Sequence, residues 1–425
     1  MKILWVTFTP IGSASRVFYN RPTQSGGWVD ATLRGLLPYL RDGKISLDIV
    51  ALDGTDAVKP DEQTGVTYRT IRMERHRGKR SNPADITRWK DLIDQVMPDV
   101  IQVWGTEFTF GLDILEAAGN TPVCFYIQGV MSSLDAHPAG DIPLGKLQRQ
   151  LGLSAFFKLR ALKKSIRMNR MHIPYEEEMV SRAAGVLGDN LWAEAQYSAY
   201  TDKFYTVPLA ANPCFRETPW TLEACQKHAL FTVAGGACPQ KGVHEAVLAV
   251  AKLKKKYPDI RLNIPGNVSS RKPHFLYDSL YIRHLRKIIR QYGLEENVVF
   301  LGSLKPEQMA QQMGLANCFV MPSCVETHSS SLREAMMVGC PSVSAAVGSV
   351  PEVVNHGRNG YLYRYGETDT LAYYIDKIFA DDTLAQTIGA AGRVSVNEKY
   401  PQDKVGEMLM DAYRQMITES GNGKD

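Results

Sequence analysis

Two carboxylates and a run of hydroxyls follow one short apolar segment in residues 321–343, "MPSCVETHSSSLREAMMVGCPSV". Ser331 and Glu334 fit the S-x-x-E capping box, in which each side chain satisfies a backbone N–H at the start of a helix. Glu326 has no capping partner in register, and the three serines at 329–331 exceed what one cap requires. The stretch therefore predicts a turn that wraps an anion, with Glu334 placed to accept hydrogen bonds from a vicinal diol such as a ribose.

Two glycine-containing loops precede predicted helices and could approach phosphate groups. The segment "SGGW" places Gly26 and Gly27 before the first long helix, whose N-terminus offers unpaired N–H groups. The segment "VAGGACPQKG" contains Gly235 and Gly236 and ends with Lys241 at a helix start, where an ammonium can meet a phosphate. A flexible turn and a solvated lysine remain the alternatives for these two loops.

Other nucleotide-binding patterns are absent from these loops. No G-x-G-x-x-G follows the first predicted strand, which disfavours an NAD-dependent oxidoreductase. The second loop lacks the spacing and the terminal Ser/Thr of a Walker A loop, which disfavours a phosphate-transferring ATPase. Phosphate donors, a diol acceptor and a spare carboxylate together predict a site for a nucleoside diphosphate that carries a sugar.

Composition limits the protein class. The chain has 425 residues, is 44% hydrophobic and 22% charged, and carries a net charge of +4, so we expect two globular domains and no nucleic-acid partner. Its seven cysteines are scattered and form no Cys/His cluster in the sequence, so neither zinc nor a disulfide framework is predicted. No apolar run reaches the length of a membrane span, and the N-terminus reads as a strand rather than a signal peptide. A cytoplasmic protein is expected.

Short apolar segments alternate with amphipathic ones along the chain, which predicts parallel sheets covered by helices. Predicted strands are "KILWVTF", "SLDIVAL", "DVIQVW", "PVCFYIQ", "ALFTVAG", "RLNIPG", "NVVFLG", "NCFVMPS" and "PSVSAA"; predicted helices cover residues 28–40, 242–257, 280–292, 306–315 and 332–338. The pattern predicts two doubly wound α/β domains that face a cleft, with their boundary at 209–220. In such sheets ligands bind beyond the carboxyl ends of the strands.

The second half of the chain resembles the retaining family 4 glycosyltransferases (glycosyl transferases group 1). Glu326 and Glu334 match that family's E-x7-E motif, and "FLG", "EAMMVGCPSV", "VGSVPEVVNHGRNGYL" and "QKG" are similar to its other signatures over residues 231–362. The resemblance implies a GT-B fold of two Rossmann-like domains. Residues 1–210 would form the acceptor-binding domain, with residues 400–425 packing back on it, and residues 211–399 would form the nucleotide-sugar donor domain.

The resemblance also implies roles for single residues. Lys241 would bind the diphosphate, Glu326 the transferred sugar and Glu334 the ribose. The remaining donor-site candidates are the glycines of the two loops, the backbone at the helix start and the end of one strand: Gly26, Gly27, Gly235, Gly236, Gly302, Leu304, Ser329, Ser330, Ser331 and Leu332.

The chain departs from the family pattern at two positions. Gly236 stands where the donor loop usually carries an arginine, and Gln128 stands where many relatives have a histidine after a strand. An amide cannot act as a base near neutral pH, so Glu107 in "WGTE" is a second acceptor-side candidate beside Gln128. An exposed loop carboxylate is the alternative for Glu107.

The expected activity is a retaining, metal-independent transfer of a hexosyl-type sugar from a nucleotide sugar, most simply a UDP-sugar, to a hydroxyl acceptor. The acceptor would be a lipid-linked or polysaccharide glycan intermediate. No cofactor is expected. A non-catalytic protein that binds sugar nucleotides or glycans and a nucleotide-sugar epimerase of the same fold are the alternatives.

A basic stretch in residues 145–173 has eight lysines and arginines, and no acidic residue occurs between Asp141 and Glu176. At helical spacing Ala155, Leu159, Leu162 and Ile166 share one side. The opposite side, here called the basic face, carries Arg160, Lys163, Lys164 and Arg167. Such a helix can lie in an anionic membrane surface, which predicts peripheral attachment at the inner face of the membrane. A helix packed on the protein core with a solvated basic face is the alternative.

Overall fold

The computed structural model describes residues 1–20, 26–73, 79–80, 83–148, 154–233, 238–266 and 279–421. The chain divides into two compact units. The first consists of Met1–Ser132, Arg167–Asn212 and Pro401–Asp425, and the second of Ser133–Ile166 and Pro213–Tyr400. Each unit contains a largely parallel sheet, so the predicted pair of doubly wound α/β domains is confirmed.

The first unit is built on an eight-stranded sheet. Its strands are β1 (Lys2–Thr7), β2 (Ser46–Asp53), β3 (Ala57–Asp61), β4 (Val66–Arg72), β5 (Val100–Trp104), β6 (Val123–Tyr126), β7 (Gly185–Gly188) and β8 (Phe204–Thr206). Their order is β3-β4-β2-β1-β5-β6-β7-β8, and only the β3/β4 pairing is antiparallel. The chain leaves β1 for β2 on one side and returns to β5 on the other, so the switch point of this sheet lies between β1 and β5.

Helices cover both faces of this sheet. They are Gly12–Tyr19, Gly27–Arg41, Pro83–Val96, Phe110–Ala117, Leu191–Tyr197 and Val405–Glu419. Alternate residues of β1 enter two different cores: Ile3 and Trp5 belong to one cluster, whereas Leu4 and Val6 belong to another. Because both faces are buried, β1 is a continuous apolar run rather than an alternating one.

The C-terminal helix Val405–Glu419 lies on helix Gly27–Arg41. Gly35 and Gly406 meet at the crossing, where a Cβ on Gly406 would lie 2.1 Å from the carbonyl oxygen of Gly35. The Trp5 indole N–H donates to the Tyr413 hydroxyl at 2.8 Å inside the same core. The last segment of the chain is therefore part of the first unit.

The second unit is built on a six-stranded parallel sheet. Its strands are β9 (Gln226–Phe231), β10 (Arg261–Pro265), β11 (Val298–Gly302), β12 (Ala316–Met321), β13 (Ser342–Ala345) and β14 (Tyr361–Tyr363), in the order β11-β10-β9-β12-β13-β14. The surrounding helices are Leu144–Gln148, Cys214–Glu217, Val243–Leu253, Leu280–Gln291, Pro306–Leu315, Ser330–Val338, Val350–Val353, Thr368–Ala380 and Asp382–Lys399. Here the switch point lies between β9 and β12.

Residues 133–166 cluster with the second unit, although the predicted N-terminal domain contained them. Ala139, Ile142 and Leu147 are buried in the core of the second unit. The Tyr365 hydroxyl also donates to the carbonyl oxygen of Gly140 at 2.9 Å. Burial of these apolar side chains, which periodicity alone does not assign to either sheet, decides where the segment folds.

The basic stretch forms helix Leu144–Gln148 and the N-terminal half of helix Ser154–Arg182. Leu159 is buried against Leu280, and Leu162 packs on the same pair. All four residues of the basic face are exposed. Within the described part of the helix, the apolar side thus packs against the protein itself, as the core-packed alternative requires. Ala155, which was predicted to share this side, lies outside the described side chains. No helix in the described ranges is long and apolar enough to cross a membrane.

Candidate functional site

The second unit brings the loops after β9 and β12 together at its switch point. Lys241 ends a short 3₁₀ turn, Pro239–Lys241, that follows β9, and Glu326 follows β12. Because β9 and β12 are neighbouring parallel strands, their carboxyl ends meet at one edge of the sheet. Ligands of open α/β sheets bind at this position.

Lys241 and Glu326 form an ion pair there. The Lys241 Nζ lies 2.6 Å from Glu326 Oε1, and the Ser323 hydroxyl donates to the same oxygen at 2.6 Å. Burial disfavours the charged form of Lys241, but the attraction of Glu326 and the hydrogen bond to it outweigh this and raise the pKa of the lysine. The Glu326 side chain is 9% exposed and the Lys241 side chain 34% exposed. The pair holds one charge of each sign in a fixed position.

Close backbone contacts fix this pair. Gly242 has φ +64, and a Cβ there would lie 1.7 Å from the carbonyl oxygen of Pro322. Gly348 has φ +51, and a Cβ there would lie 1.9 Å from the carbonyl oxygen of Glu326. Only glycine fits where the backbone is left-handed and a neighbouring backbone is this close.

The helix Ser330–Val338 starts without the predicted capping box, so that prediction is wrong. The N-cap is Ser329, in a left-handed conformation with φ 51 and ψ 34, and its hydroxyl pairs with the Ser349 hydroxyl at 2.9 Å instead of capping. Ser331 lies inside the helix. The left-handed turn at Ser329 moves the helix start two residues earlier than the S-x-x-E spacing implies.

This helix start leaves three amide groups free. In the described structure the N–H groups of Ser329, Ser330 and Ser331 donate to no acceptor, whereas the Leu332 N–H donates to the Ser329 carbonyl oxygen at 3.0 Å. Leu332 is fully buried. Free N–H groups at a helix N-terminus carry partial positive charge and form an anion site. The arrangement therefore suits an anion at Ser329–331, and the Leu332 amide is already used.

Glu334 is available for a ligand. Its carboxylate makes no hydrogen bond or ion pair with the residues that the structure describes. Burial raises its pKa to about 7, and the nearby Arg333 opposes this only in part. A diol that donated two hydrogen bonds would stabilise the charged form and lower this pKa.

The other donor-side candidates are spread along the same edge of the sheet. Gly302 ends β11, with φ +74, and Leu304 follows it, but β11 is the edge strand and lies two strands from β9. Gly235 and Gly236 lie outside the described residues. In the first unit Gly26 is the left-handed N-cap of helix Gly27–Arg41, so Gly26 and Gly27 open a helix after β1.

The two acceptor-side candidates lie together in the first unit. Glu107 follows β5 and Gln128 follows the neighbouring β6; a Cβ on Gly105 would lie 2.2 Å from Glu107 Oε2 and 3.6 Å from Gln128 Cδ. Both side chains therefore lie near Gly105, beyond the carboxyl ends of β5 and β6.

Sequence reasoning missed a buried carboxyl next to this pair. Glu176 accepts from the Thr106 hydroxyl at 2.6 Å and from the Met131 N–H at 2.9 Å, and burial raises its pKa to about 8. His172, one turn earlier on the same helix, donates from Nε2 to the Thr106 carbonyl oxygen at 2.6 Å. The helical spacing of His172 and Glu176 was the available signal, but no strand-end pattern marks them.

Part of the second unit matches a protein-family model. Residues 216–395 match the model of "Glycosyl transferases group 1". The N-acetyl-alpha-D-glucosaminyl L-malate synthase of Bacillus anthracis is 29% identical over 138 residues, which are 32% of this chain and 36% of that protein. A GDP-mannose-dependent alpha-(1-6)-phosphatidylinositol monomannoside mannosyltransferase of Mycobacterium tuberculosis is 26% identical over 183 residues, 41% of this chain and 45% of that protein. The chain thus matches less than half of the length of these curated relatives.

Solved structures match the whole chain in fold. Sucrose-phosphate synthase from Thermosynechococcus elongatus superposes with a TM-score of 0.71 at 18% identity, covering 99% of this chain and 100% of that one. Anabaena HepE in complex with UDP and glucose superposes with a TM-score of 0.68 at 14% identity, covering 97% and 98%. The protein therefore has the GT-B fold, and its residues 216–395 match the family model of the glycosyl transferases group 1.

Proposed function

We propose that this protein is a retaining glycosyltransferase that moves a sugar from a nucleoside-diphosphate sugar to a hydroxyl acceptor. The observation that carries the proposal is the Lys241–Glu326 pair beside the free amides of residues 329–331, at the switch point of the second unit. A cation and a set of N–H donors suit a departing diphosphate, and a carboxylate suits the sugar that it leaves behind.

Stabilising the leaving group is the main chemical task. In this proposal the amides at the start of helix Ser330–Val338 bind one phosphate, and Lys241 turns from Glu326 toward the diphosphate when the donor binds, before the reaction. Fixed donors of this kind stabilise developing charge without reorganising in the reaction. Because the protein itself supplies these charges, we propose that the transfer needs no metal ion.

The sugar develops positive charge when the diphosphate departs. Glu326, released from Lys241, would face this oxocarbenium-like centre and stabilise it. Glu334 would accept hydrogen bonds from the ribose. Gly302 and Leu304 would border the nucleobase side of the donor.

The first unit would bind the acceptor. Glu107 and Gln128 lie beside each other beyond β5 and β6, where a carboxylate and an amide can hold a hydroxyl group. Among the relatives, one is named for a phosphatidylinositol mannoside acceptor and another for capsular polysaccharide biosynthesis. We infer a glycan or lipid-linked acceptor of this general kind, on the cytoplasmic side where nucleotide sugars are made.

UDP-sugars are the first donors to test, since solved structures of the same fold contain UDP or UDP-glucose. Thermal unfolding with UDP-glucose, other nucleotide sugars and NAD⁺ at equal concentration should show stabilisation by a nucleotide sugar and none by NAD⁺, because only a bound ligand raises the midpoint. A shift with NAD⁺ alone would reject the proposed donor site.

Release of nucleoside diphosphate, followed with and without hydroxyl acceptors, tests the reaction itself. Acceptor-dependent release and an unchanged anomeric configuration in the product are expected. The rival is a non-catalytic nucleotide-sugar binding protein, which Gln128 favours because an amide cannot take a proton. Tight nucleotide-sugar binding without release under any acceptor would favour that rival, and interconversion of two nucleotide sugars would favour an epimerase.

A further inference from the structure

Three side chains with metal-binding atoms converge in the second unit beside the site described above. They are His137, Asp141 and Cys324, and one ligand atom from each lies within 4.8 Å of the others. His137 Nδ1 is 2.8 Å from Asp141 Oδ2. Cys324 is buried, at 2% exposure, and stands 183 positions from Asp141 along the chain. The sequence alone gives no sign of this cluster.

The backbone between His137 and Asp141 has an unusual conformation. Ala139, Gly140 and Asp141 have φ values of 55°, 61° and 59°, three consecutive residues in the left-handed region. Two of them are not glycine, and residues other than glycine keep this strained conformation only where the surroundings hold it in place. Backbone strain of this kind concentrates at functional sites.

The surroundings do hold this turn. The Tyr365 hydroxyl donates to the Gly140 carbonyl oxygen at 2.9 Å, and the Gln240 side-chain amide donates to the His137 carbonyl oxygen at 3.4 Å. A Cβ on Gly140 would lie 2.3 Å from the Pro239 carbonyl oxygen. The turn is therefore locked against the Pro239–Lys241 segment in a conformation that brings its first and last side chains toward Cys324.

The donor set indicates the metal. One imidazole nitrogen, one carboxylate oxygen and one thiol sulfur are a mixture that Zn²⁺ accepts, whereas Mg²⁺ and Ca²⁺ prefer oxygen ligands alone. Tetrahedral Zn²⁺ with three protein ligands keeps a fourth position for water or another ligand. We propose that His137, Asp141 and Cys324 bind one Zn²⁺ ion. On binding, the Cys324 thiol loses its proton to solvent and the sulfur forms the Zn–S bond.

This site touches the groups proposed to bind the donor. Cys324 precedes Glu326 by two residues, and its N–H donates to the Gln240 carbonyl oxygen at 2.9 Å, next to Lys241. A bound ion would tie the 137–141 turn to the backbone that carries Glu326. The proposed role is to rigidify this loop pair, and it does not depend on the transferase reaction.

The test uses Co²⁺ as a spectroscopic substitute for Zn²⁺ in the full chain, reduced and freed of metal with a chelator. Wild type should bind one equivalent of Co²⁺ with a thiolate-to-cobalt charge-transfer band in the near ultraviolet, and Zn²⁺ should displace it. Cys324→Ser should lose the band. Asp141→Asn and His137→Gln should each weaken Zn²⁺ binding by at least about tenfold.

Two features make the variants informative. Asn tolerates the left-handed conformation at position 141, so Asp141→Asn keeps the turn while removing the charge. Cys225→Ser is the matched control, since Cys225 is a free, partly exposed thiol outside the cluster, and it should leave Co²⁺ binding unchanged. The proposal fails if wild type shows no charge-transfer band, or if Cys324→Ser and Asp141→Asn, both folded by circular dichroism, bind Zn²⁺ as wild type does.

Discussion

Breaking the Lys241–Glu326 pair should cost more when the lysine is removed than when the glutamate is neutralised. Removing one partner of a fully buried ion pair typically costs about 3–5 kcal/mol, because the other charge is left unpaired. Glu326 is 9% exposed and Lys241 34% exposed, so water can solvate the lysine better than the carboxylate. The Ser323 hydroxyl still donates to Glu326 when the lysine is gone, and this hydrogen bond limits the cost of the unpaired carboxylate.

These values set the expected free energies of unfolding. Lys241→Met should lower the stability of the chain by about 2–3 kcal/mol, and Glu326→Gln by about 1–2 kcal/mol. The double variant should cost about 1–2 kcal/mol less than the sum of the two, since neither charge is then stranded. Urea denaturation of the four proteins, with slopes compared to check that the same surface unfolds, measures this coupling.

Two results would refute this reasoning. Costs that add to within about 0.5 kcal/mol would show that the two groups do not interact in solution. A larger cost for Glu326→Gln than for Lys241→Met would contradict the exposure argument.

The same variants test function. Lys241→Met should weaken binding of UDP more than of uridine, and Glu326→Gln should lower turnover on the order of a hundredfold with donor affinity little changed. Equal losses for UDP and uridine, or normal turnover without Glu326, would reject the assigned roles.

Three further predictions concern other parts of the chain. Burial raises the pKa of Glu334 from 4.5 to about 7, so its contribution to stability is full below pH 4.5 and is lost as the pH rises through 7. In Glu334→Gln the free energy of unfolding, measured with urea, should therefore change less between these two pH values than in wild type. The affinity for UDP-glucose should rise with pH in wild type but not in this variant. A pH profile identical in both proteins would contradict this. Gly242→Ala should lower stability by at least about 2 kcal/mol, whereas Gly357→Ala, at φ +76 with no atom within 4 Å, should cost only about 1 kcal/mol, as thermal unfolding can compare. Wild type should co-sediment with anionic but not neutral vesicles at low salt, and changing the basic face to Gln should abolish this; equal binding by that variant would exclude the helix as a membrane anchor.

Periodicity and strand-end patterns determined the framework of both units. All nine predicted strands occur, and their ends lie within about four residues of the predicted ends. They could be predicted because strands buried on both faces are continuous apolar runs in the sequence. Five strands were not predicted, namely β3, β4, β7, β8 and β14, since polar residues interrupt the apolar ones in β3 and β4, and β7, β8 and β14 have only three or four residues each. Helix Pro306–Leu315 has its predicted ends because Pro306 can stand only in a first turn.

The sequence also placed Lys241 and Glu326 at strand ends, but it could not show that they form a pair. That contact depends on β9 and β12 being neighbours, which follows from the strand order and not from chain order. The capping box at Ser331 failed for a related reason. Its spacing is a local signal, whereas the left-handed turn at Ser329 is fixed by Ser349, twenty residues away.

Tertiary structure alone decided which unit receives residues 133–166 and what surrounds Cys324. The free energy gained by burying an apolar side chain does not depend on which core receives it, so the apolar residues at 139, 142 and 147 could join either core. Only the packing of the second unit selects one. The same packing brings His137 and Asp141 to a cysteine that lies far away in sequence. Local chemistry is therefore visible in the residues themselves, whereas the meeting of distant groups is determined by how the cores pack.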